Sequence, residues 1–382
     1  MRLLYIADIR LPTEKAHGIA IIQMCSAFSH AGVEVELVIP SRHNPITQDP
    51  FDYYGIEHTF TITRLSLSDT VARGRLGFWL HAVRFAYAAV QYAKKQPPDI
   101  LYSRDVLPLL FSRRSQARLF WETHTPRWNS AVAHLVLRLH GVICISGGLA
   151  HFYESHGVSH EKIQVAPSGI AAHHLQQNNA ASAHIRRELH LAGSTPLVGY
   201  VGAYHTMGAS KGVDGIVRAV AKLHAQIPSV VLLLVGVGEG GAQVVRAEAA
   251  RSGLPENSLC IVPRAAPADI PAYLQACDVL VMFFPRAEHY EHYMSPMKVF
   301  EYMASGVPIV TSDLPSIREV LSDEDALFVP PEDEAALVRA LQDTLLHKKN
   351  TALRAERARL KVYQYTWEER ARAILAFIQC KN

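Results

Sequence analysis

Ser295-Pro-Met-Lys-Val-Phe-Glu301-Tyr-Met-Ala-Ser-Gly306-Val-Pro308-Ile-Val-Thr-Ser-Asp313-Leu-Pro-Ser-Ile-Arg-Glu319 holds a loop, a short helix, a break and a strand in one continuous run. Proline fits the first positions of a helix but cannot extend one, so Ser295-Pro296 opens the helix and Gly306-Val-Pro308 closes it. Ile309 to Thr311 then reads as a short buried strand. The helix carries one carboxylate, Glu301, and the loop ahead of it offers the Ser295 hydroxyl and the amides around Met297. A carboxylate accepts two bonds from vicinal ribose hydroxyls, and amides at a helix start suit phosphate. The segment therefore reads as a cradle for a nucleotide, with Lys298 beside the phosphates. A structural loop with a capping glutamate is the competing reading.

Outward from this run, strand and helix alternate. Upstream lie candidate strands at Leu197 to Val201, Val230 to Val235, Leu259 to Val262 and Val279 to Met282. A first series precedes them: strand Leu3 to Ala7, helix Ile19 to Ala31, strand Val33 to Ile39, helix Ala72 to Lys95, then strands Ile100 to Ser103, Arg118 to Glu122 and Val142 to Ser146. Such alternation predicts parallel sheets covered by helices. Between Pro167 and Pro196 the chain turns polar and is the best linker candidate. The expected architecture is α/β, two Rossmann-like doubly wound domains facing a cleft, with boundaries at 1–180 and 181–364 and a last helical segment at 365–382. Ligands of open parallel sheets bind beyond the carboxyl ends of the strands, so the loops there are where chemistry is sought.

Composition narrows the class. The 382 residues, 49% hydrophobic and 19% charged, are those of a folded chain of two ordinary domains. A net charge of +3 is too mild for nucleic acid to be the main partner. The five cysteines lie far apart without a C-x-x-C pair, as in a reduced cytoplasmic protein, and no apolar run is long enough to span a membrane. The N-terminus, Met1-Arg-Leu-Leu-Tyr-Ile-Ala-Asp8, has the length of a strand and does not read as a signal peptide. Histidine pairs such as His173-His174 sit in polar stretches without companion ligands, and no metal site is expected from them.

Further loops carry candidate chemistry. His17-Gly18 stands at a helix start, where backbone N–H groups and the helix dipole favour an anion, although a simple turn glycine reads equally well. Val198-Gly-Tyr-Val-Gly202 leads through a loop to Lys211-Gly212 at a second helix start, a good arrangement for a diphosphate. Gly236-Val-Gly238-Glu-Gly240-Gly241 fits G-x-G-x-x-G, yet it follows the second strand of its series and lacks the acid expected after the next one. Thr123-His124-Thr125-Pro126 puts a histidine at a strand's carboxyl end, and Arg104-Asp105 follows the strand before it. Arg264 follows the third strand of the second series, and Asp323-Glu-Asp325 reads as a solvated acidic turn and not as a metal motif. On the helix Ala72 to Lys95, Arg73, Arg75, Arg84, Lys94 and Lys95 mix with Phe78, Trp79, Leu80, Phe85 and Tyr87. That mixture can mark a surface touching anionic lipid, or an amphipathic helix packed on its own sheet.

Taken together, residues 11 to 28, 197 to 216 and 295 to 319 resemble the retaining GT-B glycosyltransferases of family 4 type, the glycosyl transferases group 1. The resemblance implies a reaction that moves a sugar from a nucleoside diphosphate sugar to an acceptor hydroxyl with retained configuration, without a metal or other cofactor. It makes His124 and Lys211 the catalytic candidates. Gly18, Gly202, Lys211, Arg264, Ser295, Met297, Lys298 and Glu301 become the donor-binding set, with the loop of Arg264 at the nucleobase. It also implies that the C-terminal helix, near Trp367 to Gln379, packs back on the first domain. The implied acceptor is a glycan or lipid-linked molecule of cell-surface polysaccharide or glycolipid synthesis, and the implied place is the cytoplasm or the cytoplasmic face of a membrane, with peripheral contact. Two positions depart from the family pattern. The first glutamate of its pair falls at Tyr293, and the arginine that often follows the strand glycine is replaced by Ala203-Tyr204-His205, which leaves Lys298 as the second cation. Rival readings are a nucleotide-sugar 2-epimerase of the same fold, an NADP-dependent oxidoreductase using the Gly236 loop, and a non-catalytic nucleotide-sugar sensor.

Overall fold

The structure is a computed structural model that describes residues 1–206 and 209–381. Gly208, in the loop before Lys211, lies outside the described residues, as does the side chain of His173. Contacts divide the chain into two units, one formed by Met1–Gly169 with the segment from Thr366 onward, the other by Ile170–Tyr365.

The first unit is built on seven strands: β1 (Arg2–Ile6), β2 (Glu34–Pro40), β3 (Thr61–Leu65), β4 (Ile100–Ser103), β5 (Arg118–Thr123), β6 (Gly141–Cys144) and β7 (Ile163–Val165). Every pairing is parallel, in the order β3-β2-β1-β4-β5-β6-β7. The order reverses between β1 and β4, so the loops after these two strands diverge and leave a crevice. The helix Trp367–Gln379 belongs to this unit. A side chain on Gly141 of β6 would meet the Phe377 ring at 2.4 Å, which shows how closely the helix lies on the sheet.

The second unit has β8 (Leu197–Val201), a small antiparallel ribbon of β9 (His205–Thr206) and β10 (Ala209–Ser210), then β11 (Val231–Val235), β12 (Leu259–Val262), β13 (Val279–Met282), β14 (Ile309–Ser312) and β15 (Leu327–Val329). The six main strands are parallel in the order β12-β11-β8-β13-β14-β15, with the reversal between β8 and β13. Alternate residues feed two separate cores. Leu233, Leu280 and Ile309 join Phe300 and Met303 on one face, while Val198, Leu232 and Val281 join Ile216 and Leu341 on the other. Burial on both faces explains why these strands read as continuous apolar runs.

The polar stretch expected to be a linker is part of the second unit. Asn178 caps a helix, Asn179–Glu188, by accepting from the Ala181 amide at 3.0 Å, and the helix buries Ile185 in the core. Arg186 anchors it through Asp278 at 2.6 Å and the Ala276 carbonyl at 2.8 Å. One apolar residue per two turns gives little sequence signal, and the tertiary ion pair supplies what the periodicity lacks.

Candidate active site

In the second unit the reversal between β8 and β13 collects the strongest candidates. Gly202, just after β8, has φ near 142°, and a Cβ there would lie 2.9 Å from the Lys298 ammonium. Glycine is needed at this point because the lysine fills the space a side chain would take. Gly212, with φ 79°, turns the chain into the helix Val213–His224, and a Cβ would sit 1.6 Å from the Phe283 carbonyl oxygen. This tight turn sets Lys211 at the helix start, its amide donating to the Tyr204 carbonyl at 3.0 Å.

Lys298 lies in the first turn of the helix Met297–Ser305, which starts after Pro296 and ends at the left-handed Gly306. It is 7% exposed, its ammonium stands 3.4 Å over the Tyr200 ring, and it has no hydrogen-bond partner among the described residues. Burial, aided by the nearby Lys211 charge, pushes its pKa well below the ordinary lysine value, and Glu301 only partly offsets this. Burial likewise lowers Lys211 and raises Glu301, although Lys298 and Lys211 pull the carboxyl back. Two cations and a carboxylate thus stand near one another, Lys298 buried and the other two partly exposed, and among the described residues none of them is neutralised by a hydrogen bond or ion pair. An unpaired buried ammonium is costly unless something anionic completes it. The amides of Met297 and Lys298, in the first helical turn, have no intrahelical acceptors and add donors at the same place.

Ser295 and Met297 sit at the mouth of this helix, as the sequence predicts. Tyr293 closes a single π-helical turn, His289–Tyr293, and its hydroxyl donates to Glu288 at 3.1 Å. Arg264 is exposed in the loop after β12 and makes no bond to the lysine and glutamate cluster. Gly238 opens the helix that follows β11, and its amide donates to the Pro263 carbonyl at 2.9 Å.

In the first unit His124 follows β5. Its Nε2 lies 2.7 Å from Glu122, a carboxylate with no exposed surface that also takes Arg104 at 2.7 Å, Arg370 at 3.2 Å and the Tyr102 hydroxyl. The two guanidinium groups and the His124 bond overcome burial and hold Glu122 well below the usual carboxylate range. An ionised carboxylate only accepts, so Nε2 of His124 carries the hydrogen and Nδ1 is left as an acceptor. Burial and the Arg104 charge lower His124 to about 4, so the ring is neutral at physiological pH.

Gly18 is placed differently from the sequence expectation. The helix begins at Ala16, so Gly18 lies within its first turn, and its amide donates to the Lys15 carbonyl at 2.9 Å. A side chain there would come within 2.3 Å of Thr13 and 2.6 Å of the Tyr54 hydroxyl, so glycine serves close packing. Asp105 accepts from the Asp8 amide at 2.7 Å across the reversal between β1 and β4, and burial raises it to about 6.

Glu122 and Arg370 were not among the sequence candidates. Glu122 has a signal in hindsight: it stands two residues before His124, near the end of the strand Arg118–Thr123 that His124 follows. Arg370 has none, since its Nε bonds to the Pro167 and Ala166 carbonyls at 2.8 and 3.2 Å join parts of the chain some 200 residues apart.

The chain is similar to the Anabaena protein HepE, crystallised with UDP-glucose, at a TM-score of 0.75 and 17% identity with all of both chains covered. It is similar to sucrose-phosphate synthase from Thermosynechococcus elongatus at a TM-score of 0.79 and 19% identity, over all of this chain and 99% of the other. Likeness at such identities defines the fold, which is that of the GT-B enzymes, a pair of Rossmann-like units. The chain belongs to the glycosyltransferases of family 4 and group 1: the Glycosyltransferase Family 4 model matches residues 18–174, and the Glycosyl transferases group 1 model matches residues 195–347. A phosphatidyl-myo-inositol mannosyltransferase of Mycolicibacterium smegmatis is 30% identical over 162 residues, which span 41% of this chain and 38% of that relative.

Proposed function

We propose that this chain transfers a sugar from a nucleoside diphosphate sugar to an acceptor hydroxyl, with the anomeric configuration retained. One observation carries the reading: the buried, unpaired Lys298 ammonium stands with Lys211 and Glu301 at the strand reversal of the second unit. A diphosphate supplies the negative charge that this site lacks, and the vicinal hydroxyls of a ribose suit Glu301. The fold shared with HepE, crystallised with UDP-glucose, supports the same class of donor, and the mannosyltransferase relative supports transfer of a sugar.

In the proposed step the bond between the anomeric carbon and the diphosphate oxygen breaks, and the electron pair leaves with the phosphate. Lys211, Lys298 and the amides at the start of Met297–Ser305 stabilise that developing charge in a site where they need no reorganisation. The acceptor oxygen bonds to the anomeric carbon from the same face, and its proton passes to the departing phosphate oxygen. His124 fits a positioning role and not that of an acid, because its ring is neutral and its free nitrogen accepts; a sugar hydroxyl is the natural donor to it. A lipid-linked or glycan acceptor and a place at the cytoplasmic face of a membrane complete the proposal. Among the described residues no helix is long and apolar enough to cross a membrane.

Calorimetric titration with UDP and with GDP tests the donor site. Wild-type protein should bind one of them, and Glu301→Ala should weaken that binding by about 10-fold or more, the worth of a charged hydrogen bond. Unchanged affinity removes Glu301 from the ribose. NMR of the product then reads retention, and a β product from an α-linked donor overturns it, as does epimerisation of the donor in the absence of any acceptor.

A further inference from the structure

We propose that Tyr200 is a positioning residue for Lys298: its ring seats the lysine head, and the diphosphate of the donor draws the lysine off that seat, with uptake of a proton from solvent. The role rests on the donor site proposed above and adds to it a movement and a proton. Burial makes the movement necessary. The Lys298 nitrogen has almost no exposed surface and bonds to nothing among the described residues, so a phosphate oxygen does not reach it where it stands. A lysine that serves the diphosphate has to leave this position first.

Three rings make the seat. The ammonium stands 3.4 Å from the centre of the Tyr200 ring, with Phe284 at 5.9 Å and Tyr302 at 6.0 Å. A cation within about 6 Å of an aromatic face is held by the ring quadrupole, most strongly where water is excluded. Each ring is fixed in turn. Tyr200 is buried and its hydroxyl donates to the Ala203 carbonyl at 2.8 Å, while the Tyr302 hydroxyl accepts from the Val201 amide at 2.9 Å. Phe284 packs on Tyr290, with ring centres 5.2 Å apart. Beside the lysine head the end of β8 carries no side chain, since a Cβ on Gly202 would lie 2.9 Å from both Cε and Nζ. Strand ends of this kind are where open parallel sheets hold their ligands, so the seat adjoins the place of the diphosphate.

A seat made of rings holds the charge only weakly. The charged groups that act on Lys298 are Lys211, at the start of Val213–His224, and Glu301 on its own helix. The phenols nearby, Tyr200, Tyr302 and Tyr290 of the turn His289–Tyr293, are all raised by burial and stay neutral. Burial and the Lys211 charge thus oppose the proton on Lys298, which is given up at a pH where a surface lysine is fully charged. Two phosphate groups reverse the balance. They offset Lys211 and offer charge-assisted hydrogen bonds, which outweigh contact with a ring. The lysine swings to them as an ammonium, and the proton it lacked comes from solvent. The swing belongs to binding, so the charge is already in place when the sugar bond breaks.

Two readouts on the full chain test this. With carbon-13 at the lysine ε position, one methylene resonance, missing in Lys298→Met, should lie upfield of the others because of the Tyr200 ring current. UDP or GDP, whichever binds, should return it to the ordinary position. A resonance that is unshifted without nucleotide, or that nucleotide leaves in place, would overturn the swing. Calorimetric titration in buffers of different ionisation enthalpy counts protons at about pH 8 and about pH 9, where a phosphate with second pKa near 6 is already fully ionised. The wild type should take up protons with the nucleotide, and Lys298→Met should lose most of that uptake. Tyr200→Leu removes the quadrupole, so the alkaline loss of nucleotide affinity should begin about one pH unit lower than in the wild type. Tyr200→Phe keeps the ring and should keep the wild-type pH dependence, losing only the bond to the Ala203 carbonyl. Equal pH dependence in the wild type and Tyr200→Leu makes Tyr200 an ordinary core ring and ends the proposal. Weaker binding by Lys298→Met with no proton uptake in the wild type leaves the donor site standing and removes this role, whereas failure of the wild type to bind either nucleotide removes both.

Discussion

Each unit gathers buried charge at the carboxyl end of its parallel sheet, and the two gatherings differ in one respect. Around Glu122 every oxygen is taken, by Arg104, Arg370, the Tyr102 hydroxyl and His124. Among the described residues nothing bonds to Lys298: the ammonium rests on a ring, and Lys211 and Glu301 act on it only through space. Burial opposes charge in both places, so the satisfied group is a structural part that orients its histidine. The unsatisfied group is stable only as a site that something else completes.

That contrast sets the largest expected effect. Glu122→Ala leaves two buried guanidinium groups without their carboxylate and should destabilise the protein by about 3–5 kcal/mol. Thermal unfolding followed by circular dichroism reads it, and a loss below about 1 kcal/mol would mean that the hub is far wetter than its burial implies. The counterpart in the second unit, Lys298→Met, should behave in the opposite sense. Removing an uncompensated buried ammonium should hold or raise the melting temperature, while affinity for the nucleoside diphosphate falls by about 10- to 100-fold, as for a lost charged hydrogen bond. If that variant unfolds as readily as Glu122→Ala, Lys298 is structural and the contrast between the units is broken.

Arg370→Met is the next smaller test, because Glu122 keeps Arg104, Tyr102 and His124 when the C-terminal guanidinium goes. About 1–3 kcal/mol should be lost, the cost of leaving one buried partner short. The chain leaves the first unit after Gly169 and returns at Thr366, and Arg370 bonds to the Ala166 and Pro167 carbonyls near that exit. Local protection of the amides around residues 166–170 in hydrogen exchange should therefore drop together with global stability. Unchanged exchange there would confine Arg370 to its pair with Glu122.

The same contrast decides what the sequence could reveal. Strand and helix alternation, the glycine at 202, the lysine and glycine pair at 211 and 212 and the helix of Glu301 are local patterns, and each can be read from neighbours along the chain. The short edge strands Thr61–Leu65 and Ile163–Val165 escaped, because three to five mixed residues carry no period. Asn179–Glu188 escaped because its helix is stabilised by a cap and an ion pair to Asp278 across the fold. Gly18 lies inside the first helical turn and not ahead of it, a displacement of three residues that alters which amides are free at the helix start. Most of all, sequence names ionisable residues but not whether they are paired. Lys298 and Arg370 are both cations on helices, and only their neighbours in space make one a ligand candidate and the other a strut.

The smallest effect is also the most specific to that pairing. As pH falls below the ordinary histidine value near 6.5, the unfolded chain binds a proton at residue 124, while the folded chain resists until about pH 4. Over that interval the unfolded state holds more protons, so the contribution of His124 to folding declines as pH falls. Glu122 extends the decline to lower pH, since its folded carboxyl stays ionised well below the pH at which the unfolded one protonates. Glu301 works the other way, because its raised pKa lets the folded state take a proton first. His124→Gln isolates the histidine: the amide can still donate to Glu122 but does not titrate. The stability of the wild type relative to this variant should fall steadily between pH 6.5 and about 4 and be flat above it, because only the native histidine is asked to charge beside Arg104. A difference that stays constant through this interval would mean that His124 is protonated as easily in the fold as in water. The neutral acceptor nitrogen, and the sugar contact assigned to it, would go with it.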